Sequence, residues 1–421
     1  MAFGGEEDRW SPYGMVEAQS AAAGSARVLI YSHDTFGLGH LRRSRAIANA
    51  LVSERPGVSV VILSGSPVIG SFEFGRGVDY VRIPGVTKQP DGDYRSLNLN
   101  LPVEEAVRLR EALILQTAET FRPDIFIVDK EPTGFRGEIM PALELLRARG
   151  CRIVLGVRDV LDEPSLLVPE WERKGATEAL GRFYDEIWVY GLPDVYRPLE
   201  SLALPARLAR RTTYTGYLRR EVPTASSLTY HPKITRQPFI LVTTGGGGDG
   251  EDVIDWVISA YESGEEIELP ALIVFGPFIN RDHRRGFLER IARNPKLDAI
   301  SFDTKLELLM RKAAGVVAMG GYNTFCEILS FDKRCLIVPR TRPRREQLIR
   351  AMEAERLGLV RALVENGRGR DPALMAEGLR NLPGQNKPSE VVVPGLLDGL
   401  DVIRTRFSAA LDGTPGLQAA E

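Results

Sequence analysis

Apolar positions along the chain fall in short runs rich in β-formers, separated by stretches in which apolar residues recur every third or fourth position. The first run, 27–32 (RVLIYS), leads into the loop HDTFGLGH and then into LRRSRAIANALVSE. That order predicts strand, glycine loop, helix. Strands follow at 58–63, 79–83, 124–129, 151–157 and 186–190, with helices near 102–120, 138–149 and 168–181. The pattern restarts at 238–244 (PFILVTT), which precedes GGGGDG and the helical EDVIDWVISAYES. PALIVFG, DAISF, GVVAMGG and RCLIVP continue the strands. Helices near 281–294 and 305–313, then NTFCEILSF and RREQLIRAMEAERLG, fall between or after them. Such alternation predicts an α/β protein of two doubly wound, Rossmann-like domains.

The boundaries follow from where the pattern lapses. Residues 1–26 lack an apolar period and are expected to be a disordered leader. An N-terminal domain spans 27–222. A polar, proline-containing linker covers 223–237, and a C-terminal domain spans 238–393. A last helix within 394–412 has no strand after it and is expected to pack across the domains. Residues 413–421 are expected to be a disordered tail.

Composition changes this picture little but narrows the function. A hydrophobic content of 43% suffices for two cores. With 54 Lys+Arg against 56 Asp+Glu the net charge is -2, so the chain has no overall field to hold nucleic acid and any anion site must be local. Cys151, Cys326 and Cys335 are odd in number and at no metal-ligand spacing, which argues against a disulfide framework and for a reducing compartment. No secretory signal or bilayer-spanning run is visible, so a cytoplasmic location is expected, with peripheral contact at the inner face of a membrane left open.

Candidate chemistry gathers in loops after strands, where a doubly wound sheet keeps its ligands. In Gly37-Leu38-Gly39-His40 the glycines allow close approach, and a helix start disfavours imidazolium. A neutral His40 can then serve as general base. His33 and Asp34 on the same loop compete for that role, and the alternative is a plain tight turn with a cap histidine. Gly245, Gly246 and Gly247 open a loop suited to an oxygen-rich group, without the Gly-Lys-Ser/Thr of a P-loop. Gly320 and Gly321 follow a strand; Asn323 and Thr324 are expected to cap a helix whose free N–H groups attract an anion. Glu327, one turn in, can accept two hydrogen bonds from a diol such as ribose. Arg340, Arg342, Arg344 and Arg345 crowd one loop, suited to phosphate or carboxylate. Glu346 and Gln347, which open the next helix, can bond sugar hydroxyls. On the N-terminal side, Asp129-Lys130-Glu131 and Arg158-Asp159 with Asp162 are polar beyond what turns need.

This layout resembles the GT-B glycosyltransferases, and within them glycosyltransferase family 28, which contains the lipid I N-acetylglucosaminyltransferase of peptidoglycan synthesis. The likeness covers roughly 27–411. It is strongest over 315–360, where a strand, Gly-Gly, a helix bearing Glu, a strand ending in Pro and a helix opening with acid-Gln recur in order. The arginine-rich loop is not part of that enzyme's pattern, and DKEPTGFRGE, LGVRDVLDEP and VTTGGGGDG resemble a separate bacterial subgroup of predicted glycosyltransferases. The resemblance implies two domains facing a central cleft. It implies inverting, metal-independent transfer from a nucleotide-diphosphate sugar, a UDP-sugar, to a glycan, lipid-linked or small-molecule acceptor, in cell-envelope or polysaccharide biosynthesis. No cofactor beyond that co-substrate is expected. His40 or Asp34 would deprotonate the acceptor. Gly245, Gly246, Gly247, Gly320, Gly321, Asn323, Thr324 and Glu327 would hold the nucleotide, with the ribose on Glu327. Arg342, Arg344, Glu346 and Gln347 would meet the donor sugar. Gly37, Gly39, Asp129, Glu131, Arg158 and Asp159 would face the acceptor. Two rival functions fit the same scaffold: a UDP-sugar 2-epimerase or nucleotide-sugar hydrolase, and a non-catalytic nucleotide-sugar-binding partner of a glycan assembly.

Overall fold

The computed structural model describes residues 26–33, 39–88, 93–221, 232–245, 249–276, 279–301, 306–365 and 369–412. The expectations at Asp34, Gly37, Gly246 and Gly247, the leader apart from Ala26, most of the linker and the tail lie outside them.

The N-terminal sheet is built from β1 (Arg27–Ser32), β2 (Ser59–Ser64), β3 (Val78–Arg82), β6 (Ile125–Asp129), β7 (Arg152–Arg158), β8 (Glu186–Tyr190) and β9 (Thr212–Tyr214), with a separate antiparallel hairpin of β4 (Val86–Lys88) and β5 (Tyr94–Ser96). The seven strands are parallel in the order β3-β2-β1-β6-β7-β8-β9. Helices α1 (Gly39–Glu54), α2 (Val103–Phe121), α3 (Met140–Ala148), α4 (Pro164–Arg173), α5 (Ala176–Phe183) and α6 (Ala206–Ala209) connect them. The one helix expected near 168–181 is two, because the chain turns at Gly175, whose φ of 59° is left-handed.

The C-terminal sheet holds β10 (Ile240–Thr243), β11 (Ala271–Val274), β12 (Leu297–Ile300), β13 (Gly315–Ala318), β14 (Cys335–Ile337) and β15 (Arg361–Ala362), all parallel in the order β12-β11-β10-β13-β14-β15. Its helices are α7 (Glu251–Glu262), α8 (Arg281–Ile291), α9 (Leu306–Lys312), α10 (Tyr322–Ser330), α11 (Glu346–Arg356) and α12 (Pro372–Asn381). The four inner strands β11, β10, β13 and β14 are buried along their length, as a sheet covered on both faces requires.

Each sheet reverses its winding once, between β1 and β6 and between β10 and β13. Such sheets bind ligands at those two points, and the described residues there, Gly39, His40 and Lys130 on one side and Gly245 and Gly321 on the other, line one cleft. One apolar cluster runs through both domains by way of Tyr217, Tyr322 and Phe325; the Tyr217 and Phe325 rings meet edge-on at 5.1 Å. The final helix, α13 (Gly399–Leu411), begins later than the expected 394 and returns to the N-terminal domain. Arg404 Nε on it donates to Ala50 O at 3.3 Å on α1. The linker is not all irregular: Lys233–Arg236 forms a short 3-10 turn that buries Ile234. All three cysteines are buried and free.

Candidate active site

The β1 and β6 ends bring His40 and Asp129 together from 89 residues apart. His40 Nδ1 lies 2.5 Å from Asp129 Oδ2. Arg43, one turn further along α1, donates from Nε to Asp129 Oδ1 at 2.9 Å and from Nη2 to both carboxylate oxygens at 2.6 and 2.7 Å. Burial alone would raise the Asp129 carboxyl, but Arg43 and His40 outweigh it and hold it below the usual carboxylate range. With Asp129 ionised, the shared proton sits on Nδ1 and Nε2 is left as the basic nitrogen. Burial pushes the imidazole down to about 4, although Asp129 pulls the other way. His40 keeps 13% of its side chain exposed, on the cleft. His33 is more deeply buried, beside Tyr31 OH at 3.3 Å, and burial drives its imidazole well below 6.5.

Between the domains lies a cavity of about 380 Å³. Gly39, His40, Glu131 and Arg158 line it from one side, and Gly245, Gly321, Asn323, Thr324, Arg344, Glu346 and Gln347 from the other. Asp129 is not in the wall; it stands behind His40. Arg42, Arg43, Trp171, Thr244, Asp249 and Glu307 also line it and were not among the expected site residues. The arginines on α1 carried a signal in LRRSR, three guanidinium groups directly after the glycine loop. Trp171 and Glu307 carried none, since nothing local sets them apart from core or surface positions.

Several expectations need correction. Asn323 and Thr324 do not cap α10: the N-cap is Gly321, with no side-chain cap bond. Asn323 instead spans the domains, accepting from Arg220 Nη2 at 2.6 Å and donating to Gly39 O at 2.9 Å. Asp159 does not reach the cavity. It is fully buried, bound by Arg350 Nε at 2.7 Å and Nη2 at 2.6 Å, and accepts from Tyr217 OH at 2.8 Å. Gly320 also stands back from the wall, its carbonyl accepting from Arg350 Nη1 at 2.9 Å. Glu327 is 1% exposed and ion-paired with Arg42, which also holds Glu307 at 2.6 Å. Burial and Glu307 raise the Glu327 carboxyl, and Arg42 opposes them.

The arginine loop is mostly engaged with acids. Arg344 binds Asp162 at 2.7 Å and Glu170 at 2.9 Å, and Arg345 binds Glu163 at 2.9 Å, all across the cleft. Arg340 binds Asp249 and Glu346, each at 2.6 Å, and its N–H donates to Gln347 Oε1 at 3.0 Å. Arg342 is exposed and outside the cavity wall. Glu131 is tied to Lys174 at 2.7 Å and Lys130 at 3.4 Å. Some polar atoms at the cavity remain without a partner: Arg158 Nε, Arg340 Nε, Glu346 Oε2 and Glu307 Oε2. Among the described residues no group of His, Cys, Asp and Glu could hold a metal ion, and no helix is long and apolar enough to cross a membrane.

Comparison with known proteins agrees with this layout. Residues 239–382 match the family model for the glycosyltransferase family 28 C-terminal domain. No curated protein sequence matches the chain. A UDP-glucosyltransferase from Polygonum tinctorium that glucosylates indoxyl superposes with a TM-score of 0.61 at 13% identity, covering 95% of this chain and 100% of that one. A putative UDP-N-acetylglucosamine 2-epimerase from Listeria monocytogenes gives 0.58 at 13% identity over 92% and 96%. MurG from Acinetobacter baumannii gives 0.52 at 14% identity over 92% and 99%. The fold is GT-B, and the family 28 likeness read from the sequence stands.

Proposed function

We propose that the chain is an inverting, metal-independent glycosyltransferase that takes a sugar from a UDP-sugar. The observation that carries this reading is His40 on one wall of the cleft, backed by Asp129 and opposite the Gly245 turn and the start of α10. A neutral imidazole held by an ionised carboxylate suits removal of an acceptor hydroxyl proton as that oxygen attacks the sugar carbon. The departing diphosphate gathers negative charge. The first N–H groups of α10, together with Arg340 and Arg158, offer donors already in place for it. Glu346, with one carboxylate oxygen unpartnered, is suited to a sugar hydroxyl. Glu327 remains the candidate for the ribose, on condition that Arg42 releases it.

The acceptor is assigned to the N-terminal domain, beside Glu131 and Arg158, as a glycan, lipid-linked or small-molecule alcohol. A role in bacterial envelope or polysaccharide synthesis, in the cytoplasm or at the inner face of the membrane, goes with that assignment. One second reading has a specific support. Lys130 and Lys174 hold Glu131 ionised at the cavity, and an epimerase shares the fold, so isomerisation or hydrolysis of the nucleotide sugar is the rival reaction. Incubation with UDP-sugars and no acceptor separates the two. Binding with slow turnover is the expected result. Rapid isomerisation or hydrolysis would overturn the transferase reading.

A further inference from the structure

The arginines of LRRSR divide between two faces of α1. Arg43 turns to Asp129 and the cleft. Arg42, Arg45, Asn49 and Ser53, spaced by three or four residues along one helical face, line a second cavity of about 610 Å³ on the far side of Arg42. Arg76, Arg219, Arg220 and Arg404 close it from other segments. Six guanidinium groups thus face Glu73, Glu221 and Glu307, although Arg42 is already bound to Glu307 and Glu327, Arg404 to Asp401 at 2.7 Å, and Arg220 Nη2 donates to Asn323 Oδ1 at 2.6 Å. Arg45, Arg76 and Arg219 have no ion-pair partner among the described residues. Arg45 packs its guanidinium over the Phe72 ring at 5.4 Å, and the Nε atoms of Arg45 and Arg220 are buried without a hydrogen-bond partner. Burial lowers the Arg45 guanidinium from its ordinary value. In a protein of net charge -2, half-buried Arg45 with exposed Arg76 and Arg219 at the rim leaves this recess with an excess of unpaired positive charge, which suits an anion.

We propose that this second cavity binds a small phosphate-bearing anion through Arg45, Arg76, Arg219 and Arg220, separately from the donor cleft. The recess between the domains favours a soluble phosphate compound over a headgroup still in its bilayer. The site goes beyond the transferase reading and does not depend on it.

Calorimetric titration with inorganic pyrophosphate tests the assignment. The wild type should bind an equivalent that Arg45→Ala/Arg219→Ala binds about tenfold or more weakly, since a charge-assisted contact is lost at each position. The exposed pair Arg108→Ala/Arg293→Ala removes the same charge elsewhere and should match the wild type. Equal binding by all three proteins would overturn the site. So would full displacement of that pyrophosphate by UDP, because the recess would then belong to the donor cleft. Failure of UDP to bind at all would count against the donor reading and leave the pyrophosphate comparison intact. Phosphatidylglycerol vesicles should not retain the protein through these residues; retention abolished by the double substitution would overturn the soluble assignment.

Discussion

His40 combines exposure on the cleft with a proton affinity set from behind. Asp129 fixes its tautomer, and burial keeps it uncharged, so His40→Ala should lower single-turnover rate by about 10²–10⁴ while UDP affinity stays nearly unchanged. Near-wild-type turnover in a folded His40→Ala protein would remove it from the chemistry. The same residue makes the fold acid-sensitive. The folded imidazole gains its proton only near pH 4, whereas the unfolded one does so near 6.5. Between those values the unfolded chain binds the extra proton, so stability falls as pH drops through that window, by up to roughly 3 kcal/mol. Asp129, held below the usual carboxylate range, adds a loss in the same direction at still lower pH. The stability measured by denaturant melts should therefore fall more between pH 7 and pH 4 for the wild type than for His40→Ala. Glu327 makes a different demand. Its removal should weaken UDP binding about ten- to a hundredfold, measured by calorimetry, as expected for a hydrogen bond to a charged group.

Among the elements, α10 and α13 show how local pattern and tertiary role diverge. Apolar Phe325, Ile328 and Leu329 specify α10 as a buried helix, yet its first turn works between domains through Asn323. α13 docks where two stretches of backbone cross. A Cβ on Gly399 would lie 2.6 Å from Gly216 O and 2.7 Å from Tyr217 O. Gly399→Ala must therefore force that crossing apart. A loss of about 1–3 kcal/mol is expected, the usual cost of overpacking, and a lower thermal midpoint would show it. An unchanged midpoint would mean that the helix start is free to shift. α12 shows the converse problem for sequence reading. It buries Met375, Ala376 and Leu379, and within it Gly378 lies against the sheet, where a Cβ would meet the end of the Leu336 side chain at 2.8 Å.

Across the whole molecule, paired charges join the two domains. Asp159–Arg350 is fully buried, while Asp162–Arg344 and Glu163–Arg345 follow the rim of the cleft. Breaking the buried pair from one side leaves an uncompensated charge, so Arg350→Met should cost about 3–5 kcal/mol. Asp159→Leu/Arg350→Met should recover part of it, because the stranded carboxylate is gone. Equal melting of the two variants would show that Arg350 acts through packing alone. The rim pairs are more exposed and worth less each.

The two doubly wound domains were legible in the chain because strand runs and helical spacings are local, periodic properties that burial on both sheet faces imposes on each segment. The placing of His40, Glu346 and Gln347 at the start of helices was legible for the same reason, because each opens a helical pattern that follows a strand and its loop. β9 and β15 were not, being three and two residues long, too short to rise above loop composition, and Gly378 interrupts the apolar spacing of α12. Nor could spacing show that Asp129 backs His40, that Asp159 is a strut beneath Arg350, or that Arg42 occupies Glu327. Those are contacts between residues 89, 191 and 285 positions apart. A carboxylate's role depends on which cation meets it and how much water remains, and both are set when the sheets and domains close on one another.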